Sequence, residues 1–404
     1  MMRHLDSVGD AAASCELDPV AFRRRLMRWY RAHARTLPWR GTTDPYGIWV
    51  SEIMLQQTRV AAVIEHYNEF LRRFPTLVSL ALAPEPEVLA AWSGLGYYRR
   101  ARMLHKAAQF IMAERHGRLP ASSVELRTLP GIGEYTAAAI ASIAFGESVA
   151  VVDGNVERVI LRLTGRADDA SAAARGFVRS QARDLLPHAR VQSARRDMLS
   201  GGDADGTPSS PATNAAGDHN QAMMELGATV CLPHAPLCSQ CPVNAFCRTR
   251  GEHPTPARAP QLSLPVACLL DLRKRGPATE VLLERRPADA SLMPAMYELP
   301  PLPMEAVEGL EPALRIRHSI TNTNYYVQVF SPRLSAPAST SSYVGASKRT
   351  GVIAHALRGA IPLVAHDLHW TRTTRLASLP LTGLTRKVLL RLKVMKNTRV
   401  ALPE

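Results

Sequence analysis

The sequence predicts a protein of two folded parts: an all-α module over residues 18–247 and a smaller α/β domain over residues 265–404. In the first part, apolar residues recur at the spacing of amphipathic helices, and Gly and Pro mark the turns between them. Residues 248–264, rich in Pro and Arg, indicate a linker. After the linker, runs rich in Val, Leu and Tyr indicate strands. A chain of 404 residues fits this division.

The helical module follows an N-terminal extension, residues 1–17, that shows no periodicity. Asp18 and Pro19 predict the start of the first helix, because Asp is a favoured N-cap and Pro is favoured in the first turn. A loop carrying Trp39 and Arg40 separates this helix from a second one. The second helix contains a single acid among apolar residues.

That acid is Glu52, whose neighbours in the sequence are apolar on nearly every side of the predicted helix. A carboxyl group in such surroundings is costly to ionise, so its pKa should rise and leave it a competent proton donor. The alternative interpretation is an acid that pairs with a buried Arg or faces a wet edge of the helix.

The stretch from residue 125 to residue 159 predicts a helix, a tight turn, a second helix and a short extended piece before a third helix. Gly131 and Gly133 in the turn leave backbone N–H groups free at a helix N-terminus, where a phosphate can bind. Asp153 stands just before the third helix. Each feature alone is more often a helix connection or an N-cap. Together they suggest an enzyme that holds a nucleic-acid backbone while it does chemistry beside it.

Two further segments of the module offer side chains for nucleic acid. Gln57 and Thr58 end the second helix with polar groups that can reach base edges or backbone. Tyr97 and Tyr98 stand between a Gly-rich turn and basic residues, where an aromatic ring can stack into a duplex. Tyrosines in such a place are more often packing residues, and we expect one of each here.

Four of the six cysteines cluster as Cys231, Cys238, Cys241 and Cys247. Such a cluster predicts one metal centre rather than disulfides. A zinc site usually shows two tight pairs, and only one is present, whereas four thiolates on one loop equally suit an iron–sulfur cluster. Upstream, residues 192–217 are rich in Ser, Gly, Asp and Ala and indicate a flexible insertion.

The carboxy-terminal part changes from helical to extended patterns. Residues 266–272 and 280–284 are predicted as paired strands, residues 325–330 as another strand, and residues 381–392 as a closing helix. No catalytic cluster is evident in this part of the sequence.

The charge of the chain indicates what class of partner it binds. Lys and Arg outnumber Asp and Glu by 49 to 35, a formal charge of +14 that fits a polyanionic partner. No apolar run is long enough to span a bilayer, and the N-terminus lacks the apolar region of a secretory signal. We therefore expect a soluble protein of a bacterial cytoplasm.

Residues 20–247 resemble the helix-hairpin-helix DNA glycosylases, and among them the adenine DNA glycosylases. The resemblance is carried, in the order of the family, by residues 37–40 (Leu-Pro-Trp-Arg), 51–58 (Ser-Glu-Ile-Met-Leu-Gln-Gln-Thr), 94–98 (Gly-Leu-Gly-Tyr-Tyr), 129–133 (Leu-Pro-Gly-Ile-Gly), 152–156 (Val-Asp-Gly-Asn-Val), 220–227 (Asn-Gln-Ala-Met-Met-Glu-Leu-Gly) and the four cysteines. It implies a two-lobed all-α module, with DNA and the extruded base in its cleft. It also implies that residues 265–404 form a Nudix-like domain that recognises 8-oxoguanine without hydrolysis, since no complete Nudix box is present.

The resemblance implies a role for each of several residues. Glu52 stands where the family has its general acid, and Asp153 where it has the carboxylate that stabilises the sugar cation. Tyr135 replaces the lysine with which endonuclease III-like enzymes form a Schiff base, which implies base removal without strand cleavage. Asn155 is implied as a further catalytic residue. The pocket for the adenine is implied to include Trp39, Arg40 and Gln221.

The resemblance also implies the cofactor and the partner. The four cysteines would hold one [4Fe-4S] cluster, and the partner would be double-stranded DNA with adenine opposite 8-oxoguanine or guanine, bound by a monomer. The implied DNA-binding residues are Gln57, Thr58, Tyr97, Gly131, Gly133 and Thr321.

Two departures from the family pattern affect DNA contacts. The loop between the first two cysteines has only His234 where relatives carry Lys or Arg, which predicts a weak DNA contact. Residues 320–322, Ile-Thr-Asn, replace the family's Phe-Ser-His signature for 8-oxoguanine, and Thr321 keeps a hydroxyl donor. The rival hypotheses are an endonuclease III-like glycosylase and lyase, and a non-catalytic iron–sulfur protein that binds DNA.

Overall fold

The computed structural model describes residues 17–167, 171–187, 214–253, 260–320, 322–332, 357, 359–360 and 367–396. The chain forms two compact units: one comprises Met1–Glu52 and Leu119–Pro256, and the other comprises Ile53–Arg118 and Ala257–Glu404. No helix within the described ranges has both the length and the apolar character needed to cross a membrane.

The α-helices described follow one another along the chain. They are α1 Pro19–His33, α2 Pro45–Leu55, α3 Val60–Arg73, α4 Leu77–Leu82, α5 Glu85–Ala91, α6 Arg99–Glu114, α7 Ser123–Leu126, α8 Glu134–Phe145, α9 Gly154–Thr164, α10 Ala172–Leu185, α11 Ala215–Thr229 and α12 Gly383–Arg391. The strands are β1 Leu262–Leu269, β2 Leu272–Arg275, β3 Ala278–Arg285, β4 Tyr297–Glu298, β5 Pro301–Leu302, β6 Leu314–Ile320, β7 Thr323–Phe330 and β8 Asp367–Arg372.

Short polar side chains set the starts of the helices in the first unit. The predicted cap of α1 is confirmed, because the Asp18 carboxylate accepts a hydrogen bond from the Val20 N–H at 2.8 Å. Asp153 caps α9 and Ser171 caps α10 in the same manner. Each cap satisfies a backbone donor that the helix itself leaves open.

The core of this unit is formed by α1, α9, α10 and α11. Its buried apolar side chains include Phe22, Leu26, Val156, Val159, Ile160, Val178, Met223 and Leu226. The apolar stripe of α9 faces this core, so the residue that begins α9, Asp153, is fixed at its edge. The all-α character predicted for this part of the chain is confirmed.

The predicted insertion, residues 192–217, ends too late. Residues 188–213 lie outside the described part of the chain, but Asn214 is already the N-cap of α11. Its side chain accepts from the Gly217 N–H at 2.9 Å and donates to the carbonyl groups of Ser142 and Ile143. The composition of residues 214–217 indicates a loop, yet Asn is a strong helix-starting residue, and tertiary hydrogen bonds hold it here.

The second unit contains a mixed α/β structure. One sheet has the strand order β5-β1-β7-β6, in which β1 and β7 are parallel and the other pairs are antiparallel. In the other sheet, β3 pairs with β2, β4 and β8. Helix α12 supplies Val388 and Leu389 to a core that includes Val327 and Val329 of β7. The predicted α/β class and the closing helix are confirmed.

The predicted pairing of the first two strands of this domain is wrong for most of its length. Residues 266–269 lie in β1 and residues 280–284 in β3, and these strands belong to different sheets. Only Leu272, the first residue of β2, pairs with β3, opposite Val281. The short strand β2 intervenes and forms a hairpin with β3 across a turn in which Gly276 has a φ of 61°. A left-handed residue favours such a tight reversal, so β3 pairs with its nearest neighbour in sequence and β1 pairs with the distant β7.

Residues 53–118 belong to the same compact unit as residues 257–404, and specific hydrogen bonds join them. The Tyr98 hydroxyl donates to the Leu381 carbonyl group at 2.8 Å, and the Arg102 guanidinium donates to the Pro294 carbonyl group at 2.5 Å. These contacts cross the boundary predicted at residues 248–264. The predicted domain limits stay predictions, while the packing divides the chain at residues 52, 118 and 256.

Candidate active site

Glu52 is buried in α2, with only 5% of its surface exposed. Its Oε2 atom accepts a hydrogen bond of 2.6 Å from the Tyr135 hydroxyl. Burial, together with the charge of Asp153, raises the pKa of Glu52 to about 7, against the opposing effects of the Tyr135 hydrogen bond and the charge of Arg40. The predicted rise of this pKa is therefore confirmed, and the carboxyl group can carry a proton near neutral pH.

Tyr135 stands in the first turn of α8 and provides the neutral donor to Glu52. Burial and the neighbouring charge of Glu52 raise the pKa of Tyr135 well above its usual value of 10, so its hydroxyl keeps its proton. The hydroxyl also lies 3.5 Å from the sulfur of Met224. The side chain has no amine, and none of these contacts gives it nucleophilic character.

Asp153 is half-buried, and both of its carboxylate oxygens are oriented by short local contacts. Its Oδ1 accepts from the Val156 N–H at 2.7 Å, and its Oδ2 accepts from the Asn155 side-chain amide at 2.9 Å. The N-cap interpretation is thus correct as geometry. It leaves lone pairs on both oxygens, because a carboxylate offers about four acceptor sites. The charge of Asp153 raises the pKa of Glu52, so the two acids lie within electrostatic range.

Arg158 connects this loop to the first cysteine. Its guanidinium donates to the Asn155 side chain at 2.8 Å, to the Cys231 carbonyl group at 2.8 Å and to the Gly227 carbonyl group at 2.7 Å. Gly227 allows the close approach, since a Cβ atom there would lie 2.6 Å from the Cβ of Asn155. Asn155, and through it Asp153, is therefore braced against the segment that leads into the cysteines.

Of the predicted pocket residues, Arg40 has the most defined contacts. Its Nη2 atom lies 2.6 Å from Oε2 of Glu225, a carboxylate whose side chain is fully buried. Glu225 also forms a two-point ion pair with Arg35, with both N–O distances at 2.8 Å. Trp39 is buried, and Gln221 is half-buried with no hydrogen-bond partner among the residues described.

Sequence reasoning missed Glu225 and Arg158. Glu225 carries the same signal as Glu52, an acid in an apolar helical stretch, since Met224 and Leu226 flank it. It also stands four residues after Gln221, on the same face of α11. Arg158 carries no such signal, because its partners are distant in the sequence.

The four cysteines lie on the segment that follows α11, near the end of the first unit. All four are half-buried free thiols, and two 3-10 turns, Cys238–Gln240 and Asn244–Phe246, shape the loop. Donors face the sulfurs: Nη1 of Arg162 lies 3.4 Å from Cys231 Sγ, and the Arg250 N–H lies 3.4 Å from Cys247 Sγ. In the described part of the chain, no group of three or more His, Cys, Asp or Glu side chains is placed so that it could hold a metal ion.

The loop between the first two cysteines is more acidic in its contacts than its sequence suggests. His234 is exposed, and its Nδ1 atom lies 3.4 Å from the carboxylate of Glu252. The same carboxylate accepts from the Ala235 N–H at 2.5 Å. This backbone hydrogen bond, followed by that of His234, lowers the pKa of Glu252. Glu252 follows the fourth cysteine, and its ionised carboxylate against this loop would repel a phosphate. The weak DNA contact stays a prediction.

The second unit holds two of the predicted DNA-binding residues, Gln57 and Tyr97, on two tight turns. Gln57 and Tyr97 are exposed and have φ angles of 56° and 49°, a left-handed conformation that is strained for non-glycine residues. Tyr98 is buried, so the expectation of one packed and one available tyrosine is confirmed. Thr58 accepts a hydrogen bond from Arg100 at 3.0 Å.

Arg100 ties these two turns together. Its guanidinium donates to the carbonyl groups of Gln56, Leu95 and Gly96. Burial lowers the pKa of Arg100 to about 10, which still leaves it charged at neutral pH. A charged, multiply bonded side chain of this kind can offset the strain of both turns, and it fixes the backbone on which Gln57 and Tyr97 stand.

The remaining predicted DNA-binding residues are in part described. Gly131 and Gly133 are exposed in the turn before α8, and Gly131 has a φ of 76° that favours glycine. Thr321 lies outside the described residues. On either side of it, Ile320 ends β6, and the Asn322 carbonyl group accepts from the Leu262 N–H at 3.0 Å.

The chain is similar in sequence to several known proteins. Residues 50–184 match the HhH-GPD superfamily of base excision DNA repair proteins. The human adenine DNA glycosylase is 43% identical over 241 residues, which are 57% of this chain and 40% of the human protein. An adenine DNA glycosylase of Mycobacterium tuberculosis strain H37Rv is 36% identical over 258 residues, 64% of this chain and 77% of that protein.

The match covers only part of some relatives. It spans 40% of the length of the human protein and 42% of that of the mouse protein. Among solved structures, a thermostable thymine-DNA glycosylase matches with a TM-score of 0.48 and 26% identity, covering 57% of this chain and 96% of that one.

Proposed function

This chain belongs to the adenine DNA glycosylase family, and on that basis we propose that it excises adenine that is mispaired with 8-oxoguanine or guanine in double-stranded DNA. The observation that carries the proposal is a pair of acids in unlike environments. Glu52 is buried and has a pKa near 7, while Asp153 is half-buried and hydrogen-bonded at a helix start. Such a pair can hold a proton on one group and a charge on the other.

In the proposed reaction, Glu52 donates a proton to a ring nitrogen of adenine and makes the base a better leaving group. The bond between that base and the sugar breaks, and the sugar becomes an oxocarbenium-like cation. Asp153 stabilises this cation by its charge. A water molecule then adds to the anomeric carbon, and the proton that it loses restores the acid form of Glu52. The products are free adenine and an abasic site.

We propose that the enzyme removes the base without cutting the strand. A lyase needs an amine that can form a Schiff base with the sugar. The corresponding residue, Tyr135, instead presents a protonated hydroxyl that is committed to Glu52 at 2.6 Å. This argues against the endonuclease III-like alternative. A non-catalytic iron–sulfur protein would have no need for a protonated acid beside an oriented carboxylate.

We propose that the second unit recognises the base opposite the adenine. Gln57 and Tyr97, exposed on their strained turns, are proposed to wedge into the duplex and help offset the cost of extruding the adenine, a few kcal/mol. Thr321, which lies outside the described residues, is proposed to contact the oxidised guanine through its hydroxyl group. Gly131 and Gly133 are proposed to grip a backbone phosphate at the start of α8.

The decisive experiment measures single-turnover excision on duplexes that carry adenine opposite 8-oxoguanine, guanine or cytosine. We expect release of adenine from the first two and little from the third, with no strand cleavage until the abasic product is treated with alkali. Preferential release of a pyrimidine, or cleavage without alkali, would overturn the proposal.

The pH profile of excision should report the pKa of Glu52. The rate should fall as the pH rises through about 7, because the protonated acid is lost. Tyr135→Phe removes a hydrogen bond that lowers this pKa, so the alkaline limb of the profile should move to higher pH. Tyr98→Phe is the matched control, since the Tyr98 hydroxyl bonds to Leu381 and not to an acid. A profile that stays flat up to pH values well above 7 would contradict the assigned acid.

We propose that Cys231, Cys238, Cys241 and Cys247 hold a [4Fe-4S] cluster. Support comes from four free thiols on one loop and from donors that face their sulfurs. Four cysteine thiolates are the usual ligand set of this cluster, which when bound would order the loop. Arg162 would stabilise the charge of the bound thiolates, because its guanidinium lies against Cys231.

Metal analysis of the purified protein should therefore find about four irons and no stoichiometric zinc. Removal of the iron by a chelator should abolish the visible absorbance and lower the melting temperature. Cys268→Ser is the matched control, since Cys268 is buried in the second unit and should leave the iron content unchanged. Stoichiometric zinc in protein purified without oxygen would contradict the cluster.

A further inference from the structure

Glu225 is a buried carboxylate for which the proposed reaction has no role. Its side chain is 0% exposed, and both of its oxygens lie within 2.8 Å of arginine nitrogens. We propose that Glu225 is a positioning residue for adenine excision, which fixes the Arg40 guanidinium near Glu52 so that Arg40 can receive the extruded base. This inference rests on the proposed function.

The hydrogen bonds of Glu225 exclude direct contact with a substrate. Its carboxylate accepts from the Arg35 backbone N–H at 3.1 Å, from Arg35 Nε and Nη2 at 2.8 Å each, and from Arg40 Nη2 at 2.6 Å. A carboxylate offers about four acceptor sites, and these four donors fill them. Glu225 therefore acts on the site only through the groups that it holds.

Arg40, in contrast, keeps donors to spare. Its Nη1 atom donates to the Arg35 carbonyl group at 3.0 Å and its Nη2 atom to Glu225, while its guanidinium lies 5.5 Å from the centre of the Tyr30 ring. A guanidinium has five N–H donors, so those not used in the described contacts remain for another acceptor. The ring nitrogens of adenine are such acceptors. Fixing the guanidinium in advance lowers the entropy cost of that contact.

The site also places Arg40 in the electrostatic environment of the acid. The charge of Arg40 is one of those that act on Glu52, so the guanidinium is close enough for its position to matter to the reacting group. The other charged group in contact with Glu225 is the guanidinium of Arg35. Of these, only Arg40 acts on both Glu225 and Glu52.

The competing explanation is that Glu225 is purely structural and ties the loop after α1 to α11. The two arginines separate these explanations. Arg35 makes more hydrogen bonds to Glu225 than Arg40 does. Its side chain is also more exposed, 37% against 15% for Arg40. A structural role predicts that loss of Arg35 harms the protein at least as much as loss of Arg40. A positioning role predicts that the rate of excision depends more strongly on Arg40 and Glu225 than on the side chain of Arg35.

The experiment compares Glu225→Gln, Arg40→Leu, the double variant and Arg35→Leu. It measures the single-turnover excision rate with enzyme in excess, the Kd for DNA and the melting temperature. Glu225→Gln should slow excision by about a hundred-fold at unchanged Kd, because misplacement of a contact group by about 1 Å can cost this much. In the Arg40→Leu background, the same change should alter the rate by less than about twofold. Arg35→Leu should lower the melting temperature and slow excision far less than Glu225→Gln does, because Glu225 and Arg40 keep their own contact.

Additive losses of rate in the double variant, or an equal loss of rate in Arg35→Leu, would overturn the inference. Should Glu225→Gln not fold, Glu225→Asp keeps the charge and withdraws the carboxylate from Arg40, with the same expected loss of rate. NMR of the Arg40 Nη2 proton that bonds to Glu225 gives a readout without activity: its exchange should be slow in the unaltered protein and fast in Glu225→Asp. If the unaltered enzyme releases no adenine, the proposed function fails, while slow exchange of this proton would still show that Glu225 holds Arg40.

Discussion

Glu52→Gln should reduce the excision of adenine by about a hundred- to ten-thousand-fold, the range that general acid catalysis supplies, and leave the Kd for DNA nearly unchanged. The amide has the size of the acid and still accepts from the Tyr135 hydroxyl, which lies 2.6 Å from Oε2 in the unaltered protein. It cannot give up a proton at neutral pH. The variant therefore removes the proton and little else.

Single-turnover kinetics and binding to a duplex with a non-cleavable adenine analogue measure the two quantities separately. Glu69→Gln is the matched control, because Glu69 is an acid on the surface of α3 whose partners are Arg72 and Arg73. It should excise adenine at the normal rate. Normal excision by Glu52→Gln would show that another group protonates the base.

The same variant has a stability signature. The pKa of Glu52 is about 7 in the folded protein against an ordinary value of 4.5, so between these pH values the folded state keeps a proton that the unfolded state has lost. The free energy of unfolding therefore falls as the pH rises through this window and is level above it. Glu52→Gln lacks this pH-dependent contribution. Its free energy of unfolding, relative to that of the unaltered protein, should therefore be higher above pH 7 than at low pH by up to about 3 kcal/mol.

The acids that we propose as catalytic could be predicted from the sequence because their signals are local. Glu52 lies in an apolar helix, and Asp153 stands before one, so a few neighbouring residues sufficed to predict a raised pKa and a helix cap. The assignment of Tyr97 and Tyr98 to different environments needed only their place after a Gly-rich turn. These predictions use interactions of near neighbours, which a sequence displays directly.

The residues that hold the neighbours of these acids in place, Glu225 and Arg158, could not be predicted in this way. Glu225 meets Arg40 across 185 residues, and Arg158 meets Cys231 across 73. Such contacts depend on how α9 and α11 pack, which no local pattern encodes. The same limit explains the wrong pairing of β1 with β3, because β1 finds its parallel partner in β7, far along the chain.

Asp153→Asn should lower the rate of adenine excision by about a hundred- to a thousand-fold, the usual effect of removing one electrostatic stabiliser of a transition state. The free energy of unfolding should fall by about 1 kcal/mol, because Asn and Asp are similar as N-caps and only the hydrogen bond from the Asn155 amide to Oδ2 is lost. The side-chain amide oxygen of the variant can still accept from the Val156 N–H, as the Asp153 carboxylate does at 2.7 Å. The variant therefore separates the charge of this residue from its structural role.

The charge of Asp153 also raises the pKa of Glu52, so its loss should leave less of the acid protonated at neutral pH. The rates must therefore be compared well below the pKa of about 7, where Glu52 carries its proton in both proteins. A loss of excision rate that persists at this low pH is due to weaker stabilisation of the sugar cation. Asp153→Ser, a second variant that keeps the cap, should show the same deficit. Recovery of the normal rate at low pH would mean that Asp153 serves only to keep Glu52 protonated.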